Sequence, residues 1–340
     1  MDDHLRMPEF NVAFLTLSLL TLLLVVVSLL PLSQRTHWLI RLWDFPRLQL
    51  TTFALVLLVA SAAFLPVDRN TTWFLVALQL VCCAWQLWWI FPYTPLAERS
   101  VTRYQRKRDE KKVEEHLRIL AVNVLEPNRN AVELVRMINR ERPDIIVAVE
   151  TDDWWEKQLT DIEDDLPHVV RVPQNNLYGM MLYSVWPLEN VKVENLVQEN
   201  VPSISADVQM PDGRVVKLHC VHPAPPSPTE NEKSKPRDRE LLQVAKRAAQ
   251  ETGPVIVTGD LNDVAWSPTT REFIRVSKLL DPRMGRGFFN TFHAQLPFLR
   301  WPLDHLFHSE HFMLVKMRRL PKFGSDHFPL LIELALKRES

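Results

Sequence analysis

The chain has 340 residues, of which 46% are hydrophobic and 24% charged, and its 40 Lys and Arg nearly balance its 41 Asp and Glu. This composition excludes a disordered tail, a low-complexity protein and a collagen-like repeat. Three cysteines, two of them adjacent at Cys82 and Cys83, exclude a disulfide-stapled scaffold. The charge is unevenly divided, because residues 1–112 hold 12 basic and 8 acidic side chains, which leaves 28 and 33 for residues 113–340.

Three segments near the N-terminus contain no charged side chain, and each approaches or exceeds the ~20 residues that a helix needs to cross a bilayer. They are Phe10–Ser33, Leu48–Val67 and Asn70–Leu96. The first is not a cleaved signal peptide, because Asp2, Asp3 and Glu9 precede it instead of a basic region. We therefore predict that residues 1–96 form a membrane anchor of three transmembrane helices.

Basic residues flank these predicted spans unequally. The loop between the first two spans and the segment after the third are rich in Lys and Arg, whereas the other two flanks offer only Arg6 and Arg69. The rich segments carry Arg35, Arg41, Arg47, Arg99, Arg103, Arg106, Lys107, Arg108, Lys111 and Lys112. Because such loops remain on the cytoplasmic side, we predict a multi-pass protein of the inner cell membrane. Its following domain would face the cytoplasm.

Residues 97–116 are expected to link the anchor to the rest of the chain. The run Glu98–Glu115 is charged and has no apolar face, so it is predicted to be a solvated linker helix near anionic lipid headgroups. Binding of nucleic acid by the same run is an alternative.

From Leu117 onward, strands alternate with amphipathic helices, so residues 117–340 are predicted to form one α/β domain. The predicted strands are Leu117–Val124, Asp144–Glu150, Gly179–Ser184, Ser203–Gln209, Val215–His222, Val255–Gly259, Leu303–Phe307, Phe312–Arg318 and Pro329–Leu334. The predicted helices are Ala131–Glu141, Arg237–Glu251 and Pro268–Leu280.

Polar side chains lie at the ends of many of these strands. The sequence Val-Ile-Val-Thr-Gly-Asp-Leu-Asn is a β-branched run that ends in Asp260 and Asn262, which project to the same side of an extended segment. A carboxylate beside a carboxamide suits Mg²⁺ or Mn²⁺ and a phosphoryl oxygen. An Asx turn that caps the next helix is the alternative for this motif alone.

Five more strand ends carry a polar group of the same kind. One predicted strand ends at Glu150, another at Asn123 and a third at His222, which is followed by Pro-Ala-Pro-Pro. The remaining two positions place Asp304-His305 at the start of a strand and Ser-Asp326-His327-Phe-Pro before the last one. Each end alone is weak evidence, but six of them together predict one polar pocket.

The order of these residues resembles the endonuclease/exonuclease/phosphatase superfamily, which includes DNase I-like nucleases, and in particular its membrane-anchored bacterial members. The Gly-Asp-Leu-Asn and Ser-Asp-His motifs, the strand that ends at Glu150 and the Tyr178-Gly179 pair carry the resemblance. It implies an α/β fold, a four-layer αββα sandwich (DNase I-like) preceded by three transmembrane helices. The site would lie at one edge of the two sheets.

The resemblance also implies a Mg²⁺ or Mn²⁺ cofactor. Glu150 would be the principal metal ligand, helped by Asn123 and Asp326. Tyr178 would contact the substrate.

The catalytic roles follow from the resemblance in the same way. His327, oriented by Asp304, would take a proton from the attacking water or hold that water in line. Asp260 would align the nucleophile or assist the leaving oxygen. Asn262 and His222 would bind the phosphoryl oxygens and stabilise their charge.

The expected function is a membrane-anchored, divalent-metal-dependent phosphoester hydrolase of unspecified substrate. A DNA or RNA nuclease is an alternative, which the acidic balance of residues 113–340 weakens because phosphate contacts dominate nucleic-acid binding. A lipid phosphodiesterase and a non-catalytic membrane interaction module are two more alternatives. The expected partners are the phosphoester substrate and the lipid bilayer, with no obligate protein partner.

Overall fold

The computed structural model describes residues 12–338, which form two compact units that divide after Phe91. Several residues that entered the prediction of topology lie outside the described part of the chain. They are Asp2, Asp3, Arg6, Glu9 and Phe10.

The first unit consists mainly of long apolar helices. Its helices are α1 (Val12–Leu29), α2 (Trp38–Arg41), α3 (Arg47–Phe64) and α4 (Asn70–Ile90). Within the described residues, three segments are long and apolar enough to cross a membrane: Val12–Ser33, Arg47–Phe64 and Asn70–Tyr93. They overlap the three segments predicted from hydropathy, so the prediction of three apolar helices is confirmed.

Two glutamines of α4 link the three long helices through hydrogen bonds. Gln79 Nε2 donates to Thr21 Oγ1 of α1 at 2.8 Å and to Ser61 Oγ of α3 at 3.0 Å. Gln86 Nε2 donates to Ser28 Oγ at 2.8 Å. All five side chains are buried. Because a buried polar side chain that loses its partner costs free energy, these bonds help to fix how the helices pack.

The basic residues of the loop between α1 and α3, which entered the prediction of topology, are partly neutralised. Arg41 and Arg47 each lie 3.0 Å from a carboxylate oxygen of Asp44, and all three residues are buried. Of the three arginines in this loop, Arg35 alone is exposed. Asp44 therefore neutralises part of this charge within the unit.

The second unit contains two β-sheets. Their strands are β1 (Val113–Asn123), β2 (Ile145–Val149), β3 (His168–Val172), β4 (Met180–Ser184), β5 (Leu188–Glu194), β6 (Ser203–Gln209), β7 (Val215–Cys220), β8 (Val255–Asp260), β9 (Asp304–His308), β10 (Phe312–Arg319) and β11 (Leu330–Lys337). The first sheet has the strand order β10-β11-β1-β2-β4-β3, and the second has the order β5-β6-β7-β8-β9. Only the β1/β2 and β7/β8 pairs among these strands are parallel.

Helices cover the outer faces of both sheets. Those of the second unit are α5 (Arg106–Asp109), α6 (Ala131–Glu141), α7 (Asp153–Gln158), α8 (Lys235–Ala248) and α9 (Pro268–Ser277). Short 3₁₀ helices lie at Leu30–Ser33, Leu42–Asp44, Phe91–Tyr93, Glu110–Lys112 and Thr160–Ile162.

Strand β1 shows how the layers form. Its side chains alternate, so that Leu117 and Ile119 enter the core between the two sheets while Leu120 and Val122 pack toward α6. The second sheet does the same with α8 and α9 on its outer face. The predicted four-layer αββα sandwich is therefore confirmed.

The segment after the third long helix packs against the rest of the second unit. The Tyr93 hydroxyl donates to Ala265 O at 2.5 Å, and Tyr93 is 2% exposed. Val101 belongs to the core between the sheets, and Tyr104 N donates to Leu314 O of β10 at 2.9 Å.

The prediction of one solvated helix over Glu98–Glu115 is wrong. The structure has only the short helix α5 and the 3₁₀ turn Glu110–Lys112 there, and β1 already begins at Val113. The reason is that tertiary partners on β10 and β11 stabilise an extended backbone, which charge patterning along the chain cannot reveal.

Candidate active site

Strand β8 ends in a turn that fixes Asp260 inside the unit. Gly259 has φ +141°, and a Cβ there would come within 2.0 Å of Val221 O, so the strands approach too closely for any side chain. Asp260 is 1% exposed, and its Oδ1 accepts a hydrogen bond from Asn262 N at 2.9 Å. The Asn262 amide Nδ2 in turn donates to Pro223 O at 3.1 Å. The turn thus holds Asp260 and Asn262 side by side.

The neighbouring ends of β1 and β2 bring Asn123 and Glu150 to the same place. Asn123 Nδ2 donates to Glu150 Oε1 at 2.6 Å and to Asp260 Oδ2 at 3.1 Å, so one amide joins the edges of both sheets. Asn123 Oδ1 accepts from Leu125 N at 2.9 Å. Glu150 has φ +60°, a strained conformation of the kind that clusters at functional sites. Burial raises the pKa of the Glu150 carboxyl to about 7, against the lowering effect of the Asn123 hydrogen bond.

His327 lies between two carboxylates. Its Nδ1 is 2.7 Å from Asp304 Oδ2, and its Nε2 is 3.5 Å from Asp260 Oδ2. Burial alone would lower the pKa of His327, but Asp304 and Asp260 outweigh it and raise the pKa to about 10. Burial likewise acts to raise the pKa of Asp260, but His327 and His222 hold it below its ordinary value. The two carboxylates therefore favour an imidazole that carries its proton.

His222 forms the opposite wall of the pocket. It is 2% exposed, and its Nε2 lies 3.9 Å from Asp260 Oδ2. Burial lowers the pKa of His222 to about 4. The ring of Tyr178 packs 5.5 Å from the His222 ring, centre to centre, and the Tyr178 hydroxyl donates to Glu230. His219, three residues before His222, points elsewhere and lines a separate cleft.

Several buried acceptor atoms at this site have no hydrogen-bond partner within residues 12–338. They are Glu150 Oε2, Asp326 Oδ1 and His222 Nδ1. Ligand atoms of Glu150, His222 and Asp260 lie within 4.8 Å of one another, as do those of Asp260, Asp304 and His327. A buried polar atom without a partner is a position where an ion or a water can bind, and carboxylate oxygens suit Mg²⁺ or Mn²⁺. The residues present therefore fit a hard divalent cation.

The structure thus brings all nine predicted site residues to one edge of the two sheets. The amide of Asn123 is the exception in orientation, because its NH₂ group faces the carboxylates. To bind a metal through Oδ1, this amide would have to turn by half a rotation and lose the bond from Leu125 N.

Three features of the site were missed in the sequence. The ring of Phe292 lies 5.0 Å from that of His327. Arg237 of α8 is 1% exposed and donates to Asn262 O at 2.7 Å, which supports the turn. The third is a loop of residues 295–300 beside the site. Of these three features, only the buried position of Arg237 could have been predicted from the sequence, because this arginine lies on the apolar side of a predicted helix.

The loop of residues 295–300, which we call the rim loop, is apolar and exposed. Phe298 is 86% exposed, and Leu296 and Leu299 are each 47% exposed. Hydrogen bonds at its base join it to the segment before β11, since Ala294 N donates to Asp326 O at 2.7 Å and Gln295 Nε2 donates to Ser325 O at 2.8 Å. The rim loop therefore lies beside the segment that carries Asp326 and His327.

Comparisons with known proteins agree with this architecture. Residues 120–327 match the model of a family described as the Endonuclease/Exonuclease/phosphatase family. No curated protein matches the chain significantly in sequence.

Solved structures resemble the second unit. One is an endonuclease/exonuclease/phosphatase from Beutenbergia cavernae DSM 12333, with 18% identity over 66% of this chain and 72% of that one and a TM-score of 0.53. The human Nocturnin catalytic domain with bound sulfate anion has 16% identity over 66% of this chain and 96% of that one, with a TM-score of 0.53. D. rerio TDP2 complexed with single strand DNA product has 13% identity over 65% of this chain and 99% of that one, with a TM-score of 0.54. At such identities these structures support the fold alone.

Proposed function

The chain belongs to the endonuclease/exonuclease/phosphatase family, and we propose that it is a membrane-anchored, divalent-metal-dependent phosphoester hydrolase that uses in-line attack by water. The observation that carries the proposal is the buried cluster of Glu150, Asp260, His222 and His327 with its unpartnered acceptor atoms. Glu150 Oε2, Asp326 Oδ1 and His222 Nδ1 all belong to this one cluster, where a cation and a bound substrate would supply the missing partners.

Glu150 and Asp326 are the residues that would hold the metal, with Asn123 as a third ligand if its amide turns. A bound Mg²⁺ or Mn²⁺ supplies positive charge to the phosphoryl oxygens and eases the loss of a proton from water. In the orientation that the structure shows, Asn123 instead bridges the Glu150 and Asp260 carboxylates through its NH₂ group.

Asp260 and His327 are placed to hold the attacking water. Asp304 fixes Nδ1 of His327, so Nε2 faces Asp260 Oδ2 across 3.5 Å. A water in contact with both atoms would be oriented at two points. Because the carboxylates keep His327 protonated, its Nε2–H would donate to the water oxygen, and the Asp260 carboxylate would accept the proton that the water loses. Positioned groups of this kind typically contribute about 10²- to 10⁴-fold to the rate.

The remaining polar groups would receive the charge that gathers on the phosphoryl oxygens. His222 and Asn262 flank Asp260, and the Tyr178 ring packs on His222. Donors fixed before the reaction stabilise such charge without reorganising. We assign substrate contact to these three side chains.

The test uses the full chain in detergent and follows Mg²⁺-dependent hydrolysis of bis-p-nitrophenyl phosphate. Glu150→Gln and His327→Gln should each lower kcat by about 100-fold or more. The matched controls are Glu240→Gln, a buried carboxyl away from the pocket, and His219→Gln, a buried imidazole in a separate cleft. Equal activity in the site variants and their controls would exclude hydrolysis at this pocket. Absence of metal-dependent turnover on diesters, monoesters and nucleic acid would favour the non-catalytic interaction module.

A lipid phosphodiester is the substrate class that one specific observation favours. The exposed apolar side chains of the rim loop lie close in the chain to Phe292, which contacts His327, so an acyl chain of a bound lipid would have an apolar surface to contact there. Phe298→Ser should then lower turnover of phospholipid vesicles while hydrolysis of bis-p-nitrophenyl phosphate stays unchanged. A variant equally active on vesicles, or a wild type that cleaves oligonucleotides and no lipid, would favour the nuclease instead.

We further propose that the second unit, which we call the catalytic unit because it carries the proposed active site, faces the cytoplasm. The support is the set of basic residues that follow the third apolar helix, since Arg41 and Arg47 of the loop between α1 and α3 are neutralised within their own unit. Protease digestion of intact cells against opened cells distinguishes the two faces.

A further inference from the structure

A second cavity in the catalytic unit is lined by four cations. It has a volume of about 250 Å³ and is bordered by Arg99, Arg103, Arg286 and Lys316, with Phe289 as part of its apolar wall. Among the residues that line it, none is acidic. A cavity with this lining attracts an anion that also carries an apolar portion.

The four cations have no carboxylate partner. None of them lies within ion-pair distance of a carboxylate among residues 12–338. By contrast, the buried Arg237 and Arg283 of this unit are paired with carboxylates. Arg99, Arg103 and Lys316 are exposed, whereas Arg286 is half-buried and donates to the backbone oxygens of Pro282, Met284 and Val101. Burial and then the nearby Arg99 and Arg103 lower the pKa of Arg286. The cavity therefore presents an excess of positive charge that an anion would neutralise.

Backbone hydrogen bonds hold the walls of this cavity in place. Gly285 N donates to Pro92 O at 2.8 Å, and Leu314 N donates to Thr102 O at 3.0 Å. Gly285 has φ +71°, and a Cβ there would lie 2.8 Å from Ala97 O. These bonds hold residues 92–104 against the loop at Gly285 and against β10. The walls of the cavity are therefore formed by backbone that hydrogen bonds keep in place.

The position of this cavity in the chain indicates which anion reaches it. Pro95 lines the cavity and follows the end of the third candidate span, Tyr93, by two residues. Two residues extend at most ~7 Å. If that helix spans a bilayer, Pro95 lies within two residues of its end and so near the lipid headgroups, where anionic phosphates are concentrated. A nucleic acid would need a longer basic track than one cavity of this size offers.

We propose that this cavity binds the phosphate headgroup of an anionic membrane lipid, at a site separate from the hydrolytic pocket. Arg99, Arg103 and Lys316 surround the phosphate, and Arg286, which is held by backbone oxygens, adds positive charge beside them. The Phe289 wall packs against the first carbons of the lipid. The proposal does not depend on hydrolysis, because it uses none of the residues of the hydrolytic pocket.

The test titrates dihexanoyl phosphatidic acid into the full chain in a neutral detergent without divalent cation, by isothermal calorimetry. Arg103→Gln/Arg286→Gln should weaken binding at least tenfold. The matched control, Lys107→Gln/Lys111→Gln, removes the same charge from exposed positions of the same segment and should change binding less than twofold. Equal weakening in both double variants would overturn the site, because it would reveal general electrostatic attraction.

Two further variants and two further ligands distinguish a lipid headgroup from free phosphate and from nucleic acid. Gly285→Ala, which displaces the wall without changing charge, should also weaken binding, while Glu150→Gln should retain it. Circular dichroism and melting temperature check that each variant is folded. If inorganic phosphate binds as tightly as the lipid, the site takes free phosphate and the lipid assignment fails. If a single-stranded oligonucleotide binds with the same dependence on Arg286 and the lipid does not, the site is a nucleic-acid contact.

Discussion

Glu240 offers a test of the packing and electrostatics of the catalytic unit. It lies on α8 with 1% exposure and accepts a hydrogen bond from Ser203 Oγ at 2.9 Å. Burial raises the pKa of Glu240 from its ordinary value of 4.5 to about 7, against the lowering effect of the Ser203 bond. The carboxyl is therefore protonated in the folded chain at a pH where it is ionised in the unfolded chain.

The sign and size of the effect follow from this difference. Below pH 4.5 both states hold the proton, so Glu240 has no effect on the pH dependence of stability. As pH rises toward 7 the unfolded chain releases the proton first, and the free energy of unfolding falls by about 1.4 kcal/mol per pH unit. Above pH 7 the accumulated loss is about 3 kcal/mol. Glu240→Gln keeps an acceptor for Ser203 and removes the charge, so it should recover most of this loss.

Thermal unfolding of the catalytic unit within the full chain, in detergent, measures the prediction. At pH 8.5 Glu240→Gln should raise the melting temperature by roughly 6 to 12 °C, and at pH 4 it should leave it nearly unchanged. Glu251→Gln, an exposed carboxylate just beyond the same helix, should change neither value. An equal gain at both pH values would mean that packing and not ionisation is responsible. No gain at pH 8.5 would mean that the buried carboxylate is ionised without cost, and the reasoning would be refuted.

Three other predictions address the active site and the membrane unit. Asp304→Asn should lower kcat on bis-p-nitrophenyl phosphate by about 10²- to 10⁴-fold with little change in melting temperature, because His327 loses the partner that orients Nδ1; a change in kcat below threefold would contradict the assigned role. Treatment with EDTA should abolish turnover and added Mg²⁺ or Mn²⁺ should restore it, while activity that survives complete chelation would exclude the metal. Gln79→Leu should destabilise the three-helix unit by about 1 kcal/mol in an SDS unfolding titration, since Thr21 and Ser61 lose their shared donor, whereas the exposed Thr52→Val should not.

The strand pattern of the catalytic unit could be predicted because its core strands are strongly apolar. The predicted strand Ser203–Gln209 and the predicted helix Ala131–Glu141 have the observed bounds. Strands β3 and β5 were missed, since most of their residues are exposed or half-buried and their sequences lack a clear alternation. Edge strands of this kind depend on pairing with a neighbour more than on their own hydrophobicity.

The members of the site could be predicted better than their contacts. Residue type and position at strand ends identify Asp260 and Asn123, because neighbouring strands end at one edge of a sheet. The sequence could not show that Asn123 presents its NH₂ group to two carboxylates, since a carboxamide has a donor and an acceptor of nearly equal size. It also could not show that Phe292 reaches His327, because that contact joins two segments far apart in the chain.

Residues 92–104 pack against the two sheets, and this packing determines where the chain can be truncated without loss of structure. A fragment that begins at Leu117 would lose Val101 from the core and leave Ala335–Lys337 of β11 without the partners that Val113–His116 provide. The freed strand end would invite intermolecular pairing and aggregation. Recombinant fragments should therefore begin at Pro92, and proteolysis between residues 104 and 113 would leave a second unit that lacks part of this packing.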